Sequence, residues 1–144
     1  MMDMRKISDQ FFVAPQITQT DFAMLRDKGI RSIICNRPDG EDAGQPKFED
    51  LSKTAQEQGI EMRFVPVSGG IYDKEAVADF TEALNILPKP VLAYCRTGTR
   101  SATLWALAKA PDMSVAEILS ATKNAGYDLK DIVPRLSKDG KPAD

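Results

Sequence analysis

The 144 residues carry 19 basic and 21 acidic side chains, a net charge of -2, and no histidine. Without imidazole, serine–histidine and cysteine–histidine catalysis, histidine-ligated zinc and imidazole proton shuttling are excluded, leaving cysteine, arginine, carboxylates, hydroxyls and backbone amides to carry any chemistry. Charges of both signs are mixed along the chain, so no basic stripe suits a nucleic acid, and no apolar run reaches the ~18 residues a membrane span needs.

The start, MMDMRKISDQ, lacks the apolar centre of a secretory signal, which predicts a cytoplasmic protein with Cys35 and Cys95 as reduced thiols. A short apolar stretch, QFFVA, precedes a helix over 18–28, where Thr18 and Asp21 resemble a capping box and Gly29 supplies the stop. The β-branched strand IRSIICN follows, then the helix KFEDLSKTAQEQ ending at Gly59, then the strand EMRFVPV. Asp73 is placed to cap KEAVADFTEALNIL, whose Val77, Phe80, Leu84 and Leu87 recur at helical spacing, and KPVLAY follows as a buried strand. Two further helices, SVAEILSATKNA with a Ser114/Glu117 capping box and DLKDIVPRL, close one domain over 1–136; the polar tail 137–144 is expected to be flexible. Strands alternating with helices predict an α/β fold, a central and mainly parallel sheet of four to five strands flanked by helices.

Ligands in such sheets sit beyond the carboxyl ends of the strands, and Cys95 occupies one of those ends. It directly follows a strand and precedes, by a few residues, a helix in which Leu104, Trp105 and Leu107 read as core. A free thiol ionises near ~8.5, and falls by several units at a helix amino end beside a cation. The amides of Arg96, Thr97, Gly98 and Thr99 can curl around the sulfur, with Gly98 permitting a positive φ. Arg100 adds a planar fork of donors, and the Ser101 hydroxyl is expected to donate to the sulfur. A buried, inert thiol is the ordinary reading of a strand-end cysteine and is the one adopted for Cys35; for Cys95 the turn, the glycine and the paired arginines argue for a nucleophile. Arg37 and Asp39, at the neighbouring strand end, orient Arg100, bind an anion, or stitch their own loop; Ser68 lines the mouth of the pocket.

A cysteine, a short glycine-bearing loop and an arginine followed by a hydroxyl residue resemble the anion loop of protein tyrosine phosphatases and rhodaneses. FFVAPQIT, NRPDGE, VPVSGGI, YCRTGTRSATLWAL and AGYDL together resemble the bacterial phosphatase-like and sulfur-transferase domain family found alone or fused to metallo-β-lactamase-type hydrolases. The resemblance implies a dual-specificity-phosphatase-like fold, no cofactor or metal, and a small anionic substrate: thiosulfate, a persulfide or a phosphate ester. It also suggests a separate metallo-β-lactamase-type hydrolase as partner. The chain departs from phosphatases in having four residues rather than five between Cys95 and Arg100, Tyr94 in place of a histidine, and no carboxylate in VPVSGG to protonate a leaving oxygen. The spacing resembles the rhodanese loop, so the expected activity is sulfur transfer through a Cys95 persulfide. The alternatives are phosphate ester hydrolysis through a Cys95 phosphocysteine, with Asp73 or Asp39 as displaced acid, and a non-catalytic anion-sensing module.

Overall fold

The computed structural model describes residues 2–139. Five strands form one sheet in the order β1-β2-β5-β3-β4, from β1 (Arg5–Ser8), β2 (Phe11–Ala14), β3 (Ser32–Cys35), β4 (Glu61–Phe64) and β5 (Val91–Tyr94). β1 runs antiparallel to β2, and the other pairs are parallel. The fold class expected from the alternation of elements is the one observed. β1 is an addition: Ile7 is its one buried residue, so four residues on an edge carry almost no apolar alternation to read.

β3 and β5 lie in the middle of the sheet and are buried on every residue, as strands covered on both faces must be. Their side chains alternate between two cores. Ile33, Cys35, Leu92 and Tyr94 pack with Phe22 and Leu25 of α1 (Phe22–Asp27) and with Leu51 and Ala55 of α2 (Phe48–Glu57). Ile34 and Ala93 face α3 (Lys74–Ile86), α4 (Thr99–Lys109), α5 (Val115–Asn124) and α6 (Val133–Asp139).

Local chemistry sets the helix ends. The Asp73 carboxylate accepts from the Ala76 amide at 2.8 Å, and Ser114 and Glu117 exchange bonds at 3.1 and 3.0 Å. The expected helix over 18–28 begins as a 3-10 turn, Gln19–Asp21, with the Asp21 carboxylate on the Thr18 amide at 2.8 Å. The expected strand EMRFVPV stops as a regular strand at Phe64, although the Val65 and Val67 amides still bond back to Cys35 and Asn36. α6 continues three residues beyond Leu136 into the segment expected to be loose, and residues 140–144 lie outside the described part. None of the described helices is long and apolar enough to cross a membrane.

The consequence for function is the position of β5. Inserted between β2 and β3, it delivers Cys95 to the carboxyl edge at the centre of the sheet, flanked by the loops after β3 and β4.

Candidate active site

Cys95 leaves β5 and its sulfur accepts the Gly98 amide at 3.0 Å, closing a turn that leads straight into α4. Gly98 is the residue before α4 and has φ +99°. A β-carbon there would meet the Tyr127 hydroxyl at 2.2 Å and Val13 Cγ1 at 3.0 Å, so glycine is the residue that sits there without displacing a neighbour. Tyr127 in turn donates to the Thr97 carbonyl at 3.4 Å and so backs the loop from the α5 side. Cys95 is only 1% exposed and belongs to neither apolar cluster, and its sulfur sits on the Gly98 amide.

α4 is buried along most of its length, and its polar groups are partnered accordingly. Ser101 departs from expectation: its hydroxyl donates to Asn36 Oδ1 at 2.8 Å rather than to the sulfur, and Asn36 Nδ2 donates to the Val65 carbonyl at 2.8 Å. Being wholly buried, Asn36 needs a partner for its oxygen, and Ser101 is the hydroxyl within reach. The pair ties the first turn of α4 to the ends of β3 and β4. Thr97 and Thr99 are exposed and bond each other through their hydroxyls at 3.1 Å; Arg96 is exposed, with its carbonyl accepting from Gln16.

Arg100 points to the mouth of the site. Its Nη1 donates to the Val67 carbonyl at 2.7 Å and to Glu41 Oε2 at 2.8 Å, and its Nη2 donates to Glu41 Oε1 at 2.8 Å. Glu41 also accepts from Arg37 Nε at 2.8 Å. The Arg100 hydrogen bonds, with help from Arg37, pull the Glu41 carboxyl down from 4.5 to about 2 despite some desolvation. Arg100 is correspondingly held more firmly protonated, chiefly by Glu41 and in smaller part by the Cys95 sulfur.

Arg37 and Asp39 take up separate places. The Arg37 side chain is 4% exposed, with Nη1 on Gln16 at 3.0 Å and Nη2 on Asp42 at 2.7 Å, so its donors face protein rather than the pocket. Asp39 accepts from the Phe48 amide at 2.9 Å and starts α2. Ser68 lines a separate groove of about 390 Å³ with Phe64, Ile71 and Asp73. The opening next to Arg100 has about 450 Å³ and is lined by Glu41, Gly69, Gly70, Arg96 and Arg100.

Cys35 is a different kind of thiol. It pairs in register with Tyr94 and shares its face of the sheet, and its Sγ donates to the Arg37 carbonyl. Burial pushes it up to about 11. Tyr94 is likewise raised by burial. Tyr72, on the loop between β4 and α3, is raised by burial too and lies within electrostatic reach of Cys95 and Arg100. Neither Glu41 nor Tyr72 stands out in the sequence, although NRPDGED places Glu41 and Asp42 beside Asp39 at the β3 end.

A cysteine closing the central strand, four loop residues and an arginine in the first turn of the next helix, on this sheet, define a dual-specificity-phosphatase-like α/β protein. The chain belongs to the family described as the phosphatase-like domain of β-lactamase hydrolase-like proteins, which matches residues 3–112. A β-lactamase hydrolase-like protein of Agrobacterium fabrum is 34% identical over 126 residues, 86% of this chain and 29% of the relative, so the chain spans less than a third of that protein's length. A presumed phosphatase from Neisseria meningitidis is 34% identical, with 96% of this chain and 99% of the other covered at a TM-score of 0.86. The core catalytic domain of the PP-IP phosphatase SIW14 from S. cerevisiae shares the fold at 21% identity, covering 95% and 92% of the two chains with a TM-score of 0.61.

Proposed function

We propose that this phosphatase-like domain, 1–136, is a cysteine-dependent sulfur transferase in which Cys95 is the nucleophile and Arg100 with the 96–99 loop amides holds the anionic donor. The observation that carries the reading is the condition of the two carboxylates that the sequence offers as acids, Asp73 and Asp39, and of Glu41 beside Arg100. Asp73 caps α3, Asp39 is bound to the Phe48 amide, and Glu41 is ionised down to about 2 between two arginines. A phosphate ester needs a proton delivered to its leaving oxygen, whereas sulfite is a stable anion and leaves without one.

In the proposed cycle the Cys95 thiolate forms an S–S bond to the outer sulfur of thiosulfate. The bond from that atom to the sulfonate sulfur breaks with its electron pair, and sulfite departs. Cyanide or a thiolate then attacks the terminal sulfur of the persulfide, carries it away, and restores the Cys95 thiolate. Ser101 acts through Asn36, holding the first turn of α4 under the loop. Cys35, in register with Tyr94 on the α1/α2 face of the sheet, is given no role in this cycle. Relatives far longer than this chain support a separately encoded hydrolase of metallo-β-lactamase type as its partner.

Phosphate ester hydrolysis through a Cys95 phosphocysteine is the second reading. The family description favours it, as does Tyr72, a protonated hydroxyl in the electrostatic reach of Cys95 and Arg100. One pair of assays separates the two: thiosulfate with cyanide giving thiocyanate, and an aryl phosphate giving phenol, each repeated with Cys95→Ser. Thiocyanate without phenol, lost in Cys95→Ser, is the expected result. Phenol without thiocyanate overturns it in favour of the second reading, and neither product leaves a binding role.

A further inference from the structure

A guanidinium carries five N–H donors in one plane, arranged as distinct edges. In Arg100 three of the five are taken: both hydrogens of Nη1, by the Val67 carbonyl at 2.7 Å and Glu41 Oε2 at 2.8 Å, and one of Nη2, by Glu41 Oε1 at 2.8 Å. The other two, on Nε and on the side of Nη2 next to it, bond no oxygen among the described residues and share a single edge, the arrangement that takes an oxyanion in two parallel bonds. Glu41 is itself fixed. Its Oε1 accepts from Arg37, a buried arginine locked by Gln16 at 3.0 Å and Asp42 at 2.7 Å.

We infer that Glu41 is a positioning residue: seated on Arg37, it occupies the end of the Arg100 fork and thereby turns the Nε edge toward the ligand of the Cys95 loop. The inference deepens the proposed function, resting on that loop as an oxyanion site, and holds whichever group the loop transfers. It also gives the loop of NRPDGED a purpose at the site that neither Arg37 nor Asp39 serves by direct contact.

Charge and position make opposite demands here, which renders the inference testable. Arg37 and Arg100 face Glu41 and Asp42, two charges of each sign. If Glu41 were only a nearby negative charge, Glu41→Gln would leave an excess cation beside the pocket and tighten anion binding. If Glu41 orients the fork, the same change frees Arg100 to rotate and weakens it. Inorganic phosphate is the probe, and protection of Cys95 from iodoacetamide, followed by peptide mass, is the readout. We expect Glu41→Gln to need at least tenfold more phosphate for half-protection, and Glu41→Asp, which keeps the charge on a shorter arm, to fall between. Circular dichroism verifies that both variants are folded. Equal or tighter binding by Glu41→Gln overturns the inference, and so does a wild type that phosphate does not protect. Alkylation needs no turnover, so a protein protected by phosphate but unable to make thiocyanate fails the proposed function and leaves the role of Glu41 standing.

Discussion

Gly98→Ala probes the loop most directly, because the substitution adds one carbon at the residue whose amide holds the Cys95 sulfur. Two costs are separable. The backbone sits at φ +99°, ψ -15°, outside the basin a side chain tolerates, which costs about 1–2 kcal/mol. The new methyl lies 2.2 Å from the Tyr127 hydroxyl and 3.0 Å from its ring carbon and from Val13, and such overpacking costs roughly 1–3 kcal/mol. Tyr127 is buried and held by the Arg5 guanidinium 5.6 Å from its ring centre, so it cannot swing away freely. A restricted unfolded chain returns about 0.4–1 kcal/mol. The net is a loss of about 2–4 kcal/mol, which for a chain of this size lowers Tm by roughly 6–15 °C. Thermal unfolding measures it, and the double variant Gly98→Ala/Tyr127→Ala apportions it. With the ring gone, the overlap vanishes while the backbone cost stays, so the double variant is more stable than the sum of the single effects by about 1–2 kcal/mol. A Gly98→Ala protein within about 0.5 kcal/mol of wild type, a change typical of neutral surface positions, refutes the account of the loop.

The two thiols separate by labelling rate: both are buried, but iodoacetamide at pH 7.5 modifies Cys95, whose sulfur sits on the Gly98 amide, before Cys35, whose thiol is pushed up to about 11, and prior modification of Cys35 contradicts that order. Because the folded Cys35 is raised from 9.0 to about 11, its contribution to stability is complete below pH 9 and lost as pH rises toward 11. Cys35→Ala therefore flattens the alkaline limb of a urea-denaturation series, and an unchanged limb speaks against the shift. Glu41 gives the opposite sign: depressed from 4.5 to about 2, it contributes stability above pH 4.5 that disappears as pH falls through 2. The stability gap between wild type and Glu41→Gln is accordingly level near neutrality and closes between pH 4.5 and 2; a gap independent of pH rules out the ionised bridge.

What could be read from the sequence was whatever depends on near neighbours. The Asp73 cap and the Ser114/Glu117 box need partners only three residues away, and the Cys95 turn spans three residues to Gly98, so residue type and spacing suffice to name them. The Ser101 hydroxyl misled for the complementary reason. It is close to Cys95 in sequence, but its partner Asn36 is 65 residues away and becomes a neighbour only when β3 pairs with β5. Glu41 is hidden in the same way, 59 residues from Arg100, and Arg37, two residues from Asp39 in the chain, is given Glu41 and Asp42 by the fold. Periodicity marks strands without ordering them, and the insertion of β5 between β2 and β3 decides which strand ends meet.

That insertion also brings the loop after β3, with its Glu41, to the arginine in the first turn of α4. The carboxylate that the β3 loop brings to Arg100 is met by two guanidinium groups, and an ionised group so stabilised has no proton to give at neutral pH. To release Glu41 as an acid, the buried Arg37 would have to give up its Nε partner and keep only Asp42 and Gln16, and Arg100 would lose both of its bonds to the carboxylate. Glu41 is thus held as the ionised partner of the Arg100 fork, and a protonated hydroxyl within electrostatic reach of Cys95 and Arg100 is that of Tyr72.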